Sequence, residues 1–310
     1  MTNFAFVFPG QGSQSRGIMN GYADFPVVRA AFAEASDILH QDLWQLAEEG
    51  SDAELNTTIN TQPLMLTAGV AVYRAWQSQH GPIPALLAGH SLGEYTALVA
   101  SCALEFSAAL PLVRYRAECM QQAVPEGVGG IAAILGLDDD SVRAVCREAA
   151  QGEVLEAVNY NSPGQVVIAG NRAAVERGME LAKAKGAKRA LMLPMSVPSH
   201  CSLLRGAADK LREYLHGVEL QAPLIPVLHN ADVKSYTDAA AIKDALVRQL
   251  YSPVRWVETV QYFGQHGISH NAECAPGKIL AGLNKRIDAN QQVLALNDGV
   301  ALRAAWVALC

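Results

Sequence analysis

Hydrophobic residues in the first part of the chain form short continuous runs that alternate with longer periodic segments. Residues 4–8 and 83–88 are apolar runs of strand length. Residues 26–39 and 61–79 have helical periodicity, and the alanine-rich segment 92–102 predicts a buried helix. Strands that alternate with helices are typical of α/β proteins, so we expect an α/β fold.

The spacing of strands and helices changes between about Gly130 and Leu193. The predicted elements follow the order β-α-β-β-α-β at residues 131–135, 138–150, 154–159, 165–169, 172–185 and 188–193. That order is typical of a ferredoxin-like unit. We therefore expect a small ferredoxin-like domain, residues 128–194, inserted into a large α/β domain formed by residues 1–127 and 195–310. In the last part of the chain, helices are predicted at residues 239–250 and 255–265, a strand at 268–273 and a helix from Lys278.

Composition narrows the possible classes of protein. Half of the 310 residues are hydrophobic, which is enough for a full core, and the formal net charge of -6 argues against a nucleic-acid binder. No apolar run is long enough to cross a bilayer, and residues 1–8 lack the basic start of a signal peptide. The six cysteines have neither metal-ligand nor disulfide spacing. We therefore expect a reduced, cytoplasmic protein without a metal site.

A serine between two spaced glycines carries the strongest chemical signal. Gly89-His90-Ser91-Leu92-Gly93 follows a predicted strand and precedes a predicted helix. This context is typical of a nucleophile elbow, a sharp turn that exposes the serine hydroxyl beside the N–H groups of a helix N-terminus. Such N–H groups stabilise the oxyanion of a tetrahedral intermediate. The alternative is an ordinary turn without catalytic function.

A serine nucleophile needs a base, and His200 is the best candidate among the eight histidines. It follows an irregular segment, Ser196-Val197-Pro198-Ser199, where the chain returns to the large domain. The ring of His90 should point away from the Ser91 hydroxyl, and His229 at a strand end is compatible with a core histidine. No acid is found in a suitable loop between Ser91 and His200, so a backbone carbonyl could orient the imidazole instead.

Arg116 stands out on the helix predicted around residues 106–122. It shares a helix face with four apolar residues, Ala109, Leu112, Val113 and Met120. An arginine on an apolar face requires an anionic partner because a buried unpaired charge is costly. One interpretation is a structural ion pair within the protein. The other is a site for a substrate carboxylate, held by two parallel hydrogen bonds.

Taken together, these segments resemble the malonyl-CoA:acyl carrier protein transacylases of fatty-acid synthesis. The resemblance spans nearly the whole chain in family order, which is far more specific than any single motif. Its matching segments are Phe8-Pro9-Gly10-Gln11-Gly12-Ser13-Gln14, Thr61-Gln62-Pro63, Gly89-His90-Ser91-Leu92-Gly93-Glu94, Val124-Pro125-Glu126-Gly127, Asn159-Tyr160-Asn161-Ser162-Pro163-Gly164-Gln165, Pro198-Ser199-His200, Arg248-Gln249-Leu250-Tyr251 and Pro276-Gly277-Lys278.

The resemblance implies a ping-pong transfer of a malonyl group from malonyl-CoA to the pantetheine thiol of an acyl carrier protein. Ser91 is expected to form the malonyl ester, with His200 as general base, and Arg116 to bind the free carboxylate. No cofactor is expected, since the carrier protein brings its own phosphopantetheine. Two rival functions remain at this point: a serine hydrolase such as a thioesterase, and a non-catalytic carrier-binding or scaffold protein.

The resemblance also implies supporting roles for three further residues. The backbone N–H groups of Gln11 and Leu92 are expected to form the oxyanion hole, and Gln11 also to contact substrate. The backbone carbonyl of Gln249 is expected to orient the histidine, which agrees with the missing acid. At Ile131 the chain departs from the family, whose members commonly have methionine there, and this stiffer β-branched residue is expected to affect fine acyl selectivity.

Docking of the carrier protein is expected to need a local basic patch. Carrier proteins of this family are typically acidic and this chain is acidic too, so overall charge opposes their encounter. Two clusters offer positive charge, and they are expected to flank the cleft that holds Ser91: Lys183, Lys185, Lys188 and Arg189 in the small domain, and Lys285 and Arg286 in the large one. The alternative is that these residues are solvated helix ends.

Overall fold

The computed structural model describes residues 2–125, 127–194 and 197–310. Parts of the predicted segments therefore lie outside the described residues: Glu126 in the motif at 124–127, Ser196 in the segment before His200, and the expected domain boundary at residue 195. None of the helices in the described ranges combines the length and apolarity that a membrane crossing requires.

The chain before the predicted insertion contains the first two strands and the first six helices. Their bounds are β1 (Phe4–Phe8), α1 (Pro26–Leu39), α2 (Leu43–Glu49), α3 (Asp52–Asn56), α4 (Thr58–Ser78), β2 (Leu86–Gly89), α5 (Gly93–Ala100) and α6 (Phe106–Ala123). The predicted strand at 83–88 begins later, at Leu86, because the side chain of Ile83 is exposed rather than buried. The capping box of Ser51 and Glu54, which starts α3, is a helix signal that sequence reasoning missed.

The middle segment contains β3 (Gly129–Leu135), α7 (Asp139–Ala150), β4 (Leu155–Ser162), β5 (Gln165–Asn171), α8 (Arg172–Ala184) and β6 (Arg189–Met192). These four strands form an antiparallel sheet in the order β4-β5-β3-β6. The predicted β-α-β-β-α-β unit is confirmed, and its sheet has the ferredoxin-like arrangement. One face of the sheet packs against α7 and α8, with Ile134, Val142 and Val175 in the shared core.

The last part of the chain contains α9 (Arg205–His216), β7 (Val227–Leu228), α10 (Ala239–Gln249), α11 (Trp256–Gln265), β8 (His270–Glu273), α12 (Ile279–Ile287), β9 (Gln292–Ala295) and α13 (Gly299–Leu309). The strands of the first and last parts form one parallel sheet in the order β7-β2-β1-β8-β9. Sequence reasoning missed α9, β7, β9 and α13. The two missed strands give weak sequence signals, because β7 has only two residues and β9 is incompletely buried.

Strand β1 lies at the centre of the parallel sheet and carries core residues on both faces. Phe4, Phe6 and Phe8 point into the larger hydrophobic core, which includes α1, α4 and α6. Ala5 and Val7 point to the opposite face, where they join residues of α11 and α12. Helices on both faces of a parallel sheet place the loops after the strands along one edge, where α/β proteins hold their sites.

Strand β4 joins the antiparallel sheet to the rest of the fold through the loop before α11 and through α11 and α12. The backbone of β4 exchanges hydrogen bonds with Val254: Val254 N–H donates to Val158, and Tyr160 N–H donates to Val254. This contact brings Asn159, Asn161 and the face of β3 that carries Ile131 over the carboxyl edge of the parallel sheet. The cleft between the two sheets contains the candidate site.

Candidate active site

Ser91 lies in a sharp turn between β2 and α5, as the elbow motif predicts. Its φ is +52°, in the left-handed region that residues other than glycine rarely adopt. A Cβ atom on Gly89 would lie 1.9 Å from the carbonyl carbon of Gly93, and one on Gly93 would lie 2.0 Å from the carbonyl oxygen of Phe8. Only glycine fits at these two positions, because the turn brings backbone against backbone.

Two amide side chains from distant parts of the chain hold this turn. Asn230, which follows β7, accepts a hydrogen bond from the Ser91 N–H (2.7 Å) and donates one to the Gly89 carbonyl (2.6 Å). Gln249 at the end of α10 donates to the Ser91 carbonyl (2.9 Å). The strained serine is therefore fixed on both sides by amide side chains.

His200 lies within hydrogen-bond distance of the serine hydroxyl. Its Nε2 atom is 2.8 Å from Ser91 Oγ, and its Nδ1 atom is 2.7 Å from the backbone carbonyl oxygen of Gln249. A proton on Nδ1 donated to this carbonyl leaves Nε2 free to accept the serine proton. Burial, and then the nearby charge of Arg116, lower the pKa of His200 to about 3, so the imidazole is neutral in the resting protein and its Nε2 lone pair is free.

His90 belongs to the turn but points elsewhere. Its Nε2 atom is 2.8 Å from Asn161 Oδ1, and its ring packs against Trp256. His229 is fully buried, and its Nδ1 lies 2.7 Å from Glu94 Oε1. Neither ring contacts Ser91 Oγ, so His200 is the histidine that the fold brings to the nucleophile.

The backbone N–H groups of Gln11 and Leu92 donate no hydrogen bond to another described residue. Both residues line the cavity in front of Ser91. Gln11 follows β1, and Leu92 immediately precedes the first residue of α5. A Cβ on Gly10 would lie 2.6 Å from the His90 carbonyl oxygen, so glycine allows these two loops to approach each other. Two free donors beside a serine can receive an oxyanion.

Arg116 is almost fully buried, with 1% of its surface exposed, and its guanidinium faces the same cavity. Nη1 donates to Gln62 Oε1 (2.7 Å), and Nη2 donates to Gln249 Oε1 (2.9 Å) and lies 3.3 Å from Ser91 Oγ. Within the described ranges no carboxylate lies within 4.0 Å of this guanidinium, so the interpretation as a direct ion pair is wrong. The charge remains available to an anionic ligand.

The cavity around these groups is small, with a volume of about 50 Å³. Met120 and Ile131 supply its apolar wall. Its lining residues are Gln11, Gln62, His90, Ser91, Leu92, Arg116, Met120, Ile131, Asn159, Ser199 and His200. A larger, open depression of about 840 Å³ lies beside α7 and α8, but the Ser91–His200 pair is not part of it.

Sequence reasoning missed three residues of this arrangement as functional candidates: Gln62, Glu94 and Asn230. Gln62 and Glu94 each occur in a segment that carried the resemblance. Glu94 is also a charged residue within a helix predicted to be buried, which is a usable signal. Asn230 is brought to the elbow from 139 positions away in sequence, and no local pattern marks it. In the part of the chain that the structure describes, no cluster of three His, Cys, Asp or Glu side chains is arranged to hold a metal ion.

The candidate docking residues of the two domains lie close together, beside one end of the antiparallel sheet. Arg189 is paired across the sheet with Leu135, which is paired with Gln165, and Gln165 Oε1 accepts a hydrogen bond from Arg286 of α12 (2.9 Å). Adjacent strands are about 4.8 Å apart, so roughly 10 Å separates Arg189 from Gln165. Lys188 and Lys285 are exposed next to them.

Two lysines of the small-domain cluster have their charges partly neutralised. Lys183 pairs with Glu180 (2.9 Å), and Lys185 pairs with Glu148 (2.6 Å). Lys188, Arg189, Lys285 and Arg286 form no ion pair with the described acidic residues. We call these four residues the basic patch.

Comparison with known proteins agrees with this geometry. Residues 5–286 match the family model described as the acyl transferase domain. The malonyl CoA-acyl carrier protein transacylase of Salmonella typhimurium is 56% identical over 98% of this chain and 99% of its own length. The crystal structure of the acyl-carrier-protein S-malonyltransferase of Burkholderia pseudomallei is 60% identical, with a TM-score of 0.97, over 99% of this chain and all of that one.

A third relative was solved with a partner. It is a malonyl-transacylase in complex with a type II polyketide synthase acyl-carrier protein, 51% identical, with a TM-score of 0.98, over 99% of this chain and all of that one. The family model and these full-length similarities show that the chain belongs to the acyl transferase family.

Proposed function

We propose that this protein transfers the malonyl group of malonyl-CoA to the pantetheine thiol of an acyl carrier protein. The observation that carries the proposal is the placement of one buried guanidinium beside a serine–histidine pair, with Arg116 Nη2 3.3 Å from Ser91 Oγ. A serine–histidine pair alone supports acyl transfer in general. The buried cation adds a preference for an acyl group that ends in a carboxylate.

In the first half-reaction, Ser91 Oγ attacks the thioester carbonyl of malonyl-CoA while His200 Nε2 takes the hydroxyl proton. The negative charge that develops on the carbonyl oxygen is received by the N–H groups of Gln11 and Leu92. When the tetrahedral intermediate collapses, the carbon–sulfur bond breaks and the departing thiolate takes the proton from His200. The products are free coenzyme A and malonyl-Ser91.

In the second half-reaction, His200 Nε2 takes the proton of the pantetheine thiol, and the sulfur attacks the ester carbonyl of malonyl-Ser91. The same two N–H groups receive the oxyanion. The bond between the carbonyl carbon and Ser91 Oγ then breaks, and the serine oxygen regains its proton from His200. The malonyl group leaves on the carrier protein, and the enzyme returns to its starting state.

The carbonyl of Gln249 serves as the orienting group that a carboxylate provides in many triads. It accepts the Nδ1–H of His200 at an N···O distance of 2.7 Å without adding a negative charge next to the base. Arg116 binds the malonyl carboxylate, and Gln11, next to it in the cavity, also contacts substrate. The chain thus supplies nucleophile, base, oxyanion donors and carboxylate site itself, and we propose that it works without a bound cofactor or metal ion.

The basic patch is the proposed docking surface for the acidic carrier protein. Its four side chains are exposed, and their charges are not neutralised by neighbouring described carboxylates. Lys188 and Arg189 lie at the edge of the antiparallel sheet that also supplies Ile131 and Asn159 to the cavity, and Lys285 and Arg286 lie on α12 beside it. A carrier protein docked there lies near the cleft into which its pantetheine arm must reach. Supply of malonyl groups to fatty-acid synthesis in the cytoplasm is the corresponding biological role.

Initial-rate kinetics test the proposal against the hydrolase alternative. With malonyl-CoA and holo acyl carrier protein as varied substrates, a ping-pong enzyme gives parallel double-reciprocal lines. Release of malonate should be much slower than formation of malonyl carrier protein. Intersecting lines would contradict the covalent route. Hydrolysis as fast as transfer would favour a thioesterase.

A further inference from the structure

Behind the active site, a buried carboxylate is joined to the buried guanidinium by one amide side chain. Gln249 Nε2 donates to Glu94 Oε2 (2.9 Å), and Gln249 Oε1 accepts from Arg116 Nη2 (2.9 Å). All three side chains are at most 1% exposed. The amide of Gln249 therefore lies between the carboxylate of Glu94 and the guanidinium of Arg116. The positive end of its dipole, the N–H, faces the carboxylate, and the negative end, the carbonyl oxygen, faces the guanidinium.

Glu94 accepts hydrogen bonds from three groups that reach it from different parts of the chain. Besides Gln249, Oε2 accepts from the backbone N–H of Asn230 (2.9 Å), and Oε1 lies 2.7 Å from His229 Nδ1. Three donors of this kind stabilise an ionised carboxylate in a buried site. His229 Nε2 has no hydrogen-bond partner in the described part of the protein, so Nδ1 is the ring nitrogen that bonds to Glu94.

Glu94 is also the group whose negative charge acts on Arg116. The other acidic group beside the guanidinium is Tyr95, whose ring lies 5.4 Å from it. Burial raises the pKa of Tyr95 to about 12, so this phenol carries no charge at neutral pH. A buried arginine without any counter-charge would be costly, whereas a directly paired arginine would have its donors occupied.

We propose that Glu94 is the counter-charge of Arg116, that it acts through the amide of Gln249, and that it sets how tightly the cavity holds a substrate carboxylate. This inference rests on the proposed function, since it takes malonyl as the acyl group. A carboxylate one amide away offsets the buried positive charge but leaves the cavity side of the guanidinium open. It also repels the incoming malonyl carboxylate, so malonyl binds strongly enough to be selected and weakly enough to be passed on.

The test measures binding without acylation, in a Ser91→Ala background. Calorimetric dissociation constants are determined for malonyl-CoA and acetyl-CoA with and without Glu94→Gln. The substituted amide can keep the three contacts if its NH₂ group faces His229, which then moves its own proton to Nε2. Loss of the negative charge removes the repulsion between Glu94 and the malonyl carboxylate. At an effective dielectric constant of about 20, this is expected to tighten malonyl-CoA binding about three- to tenfold. Acetyl-CoA binding should change less than about twofold.

Asp232→Asn is the matched control. Asp232 lies two residues after Asn230, in the loop after β7, and is bonded to Tyr236 and Arg248 rather than to the Arg116 network. Its neutralisation removes the same charge from the same region, and it should leave the ratio of malonyl-CoA to acetyl-CoA affinity unchanged. An equal shift for both ligands in Glu94→Gln, or weaker malonyl-CoA binding alone, would overturn the proposal.

Two further variants separate the possible failures. If Glu94→Gln does not fold, Glu94→Asp replaces it: the carboxylate withdraws from Gln249, and malonyl-CoA binding should tighten by a smaller factor without a change for acetyl-CoA. An unchanged ratio in Glu94→Asp then counts against the proposal.

Arg116→Ala tests the proposed function itself. If that variant keeps its preference for malonyl-CoA, the carboxylate site is wrong; if it loses it while Glu94→Gln has no selective effect, only the counter-charge is wrong.

Discussion

Arg116 Nη2 lies 3.3 Å from the hydroxyl oxygen of Ser91, so one charged group touches both the nucleophile and the space for the acyl group. The same charge contributes to the lowered pKa of His200, which keeps the base neutral before substrate binds. The residue proposed to select the substrate therefore also helps to keep the base unprotonated. The predictions below follow from this coupling and from the contacts around it.

Loss of the base should reduce turnover far more than it reduces binding. His200→Ala removes the group at 2.8 Å from Ser91 Oγ. Removal of a base of this type costs on the order of 10³- to 10⁶-fold in kcat. Residual activity is expected because the Gln11 and Leu92 donors remain. Single-turnover rates of malonyl-enzyme formation measure the effect, and a His200→Ala enzyme within tenfold of wild type would rule out this role.

The lowered pKa of His200 predicts an unusual pH profile. Because its folded-state pKa is about 3, the base should stay unprotonated when the pH falls from 7 to 5. A histidine with an ordinary pKa of about 6.5 would instead lose most of its activity over that range. We expect kcat/KM for malonyl-CoA to show no inflection between pH 6 and 7, in rapid pH-jump assays on folded enzyme. An inflection that moves with His200 substitution would contradict the assignment.

Stability should respond to the same group with a defined sign. Between pH 6.5 and 3 the unfolded chain binds a proton at His200 that the folded protein does not bind, so the free energy of unfolding falls as the pH falls. This contribution of His200 to stability is fully present above its pKa in the unfolded chain, which is about 6.5. Urea unfolding at pH 7 and pH 5 measures it. The decrease should be smaller in His200→Gln than in wild type.

Truncation of Arg116 should separate malonyl from acetyl substrates. A lost charge-assisted contact in a buried site is worth on the order of 2–5 kcal/mol. Arg116→Ala should therefore lose that much in kcat/KM for malonyl-CoA and much less for acetyl-CoA. Arg116→Lys should keep only part of the wild-type kcat/KM for malonyl-CoA, since an ammonium does not form the two parallel hydrogen bonds of a guanidinium. Equal losses for both substrates would assign Arg116 a structural role.

Several of these features were predictable from sequence because their signals are local. The elbow at Ser91 requires glycines at fixed spacing, β1 is a continuous apolar run, and α7 shows a helical period. The direct ion pair considered for Arg116 was wrong because its partners are amide oxygens of Gln62 and Gln249, and helix periodicity reports only that a face is apolar. Contacts between distant segments leave no local pattern.

The missed elements have a similar explanation. The two residues of β7 gain their strand character from pairing with β2, and the Asn230 contact to Ser91 depends on that pairing. Ile83 is apolar but exposed, so hydrophobicity alone placed the start of β2 too early. Gln249 was expected from the resemblance, whereas its second contact, to Glu94, became visible only in the fold.

Charge reversal of the basic patch should affect only the second half-reaction. Replacement of Lys188, Arg189, Lys285 and Arg286 by glutamate should raise the apparent KM for carrier protein, and malonyl-enzyme formation from malonyl-CoA should change much less. Added salt should weaken the wild type in the same direction, since exposed charges are screened over about 10 Å at 0.1 M ionic strength. Reversal of Lys183 and Lys185, which already pair with glutamates, is the control with a smaller expected effect. A wild-type KM in the reversed variant at low salt would place docking elsewhere.

The most direct test of the account is the intact mass of the protein after brief incubation with malonyl-CoA. Wild type should gain the mass of one malonyl group on Ser91, and addition of holo carrier protein should remove it and produce malonyl carrier protein. Ser91→Ala should gain nothing. Cys201 is a poor substitute nucleophile because burial raises the pKa of its thiol to about 12. A malonyl adduct on Ser91→Ala, or an adduct on wild type that only water discharges, would contradict transfer through malonyl-Ser91.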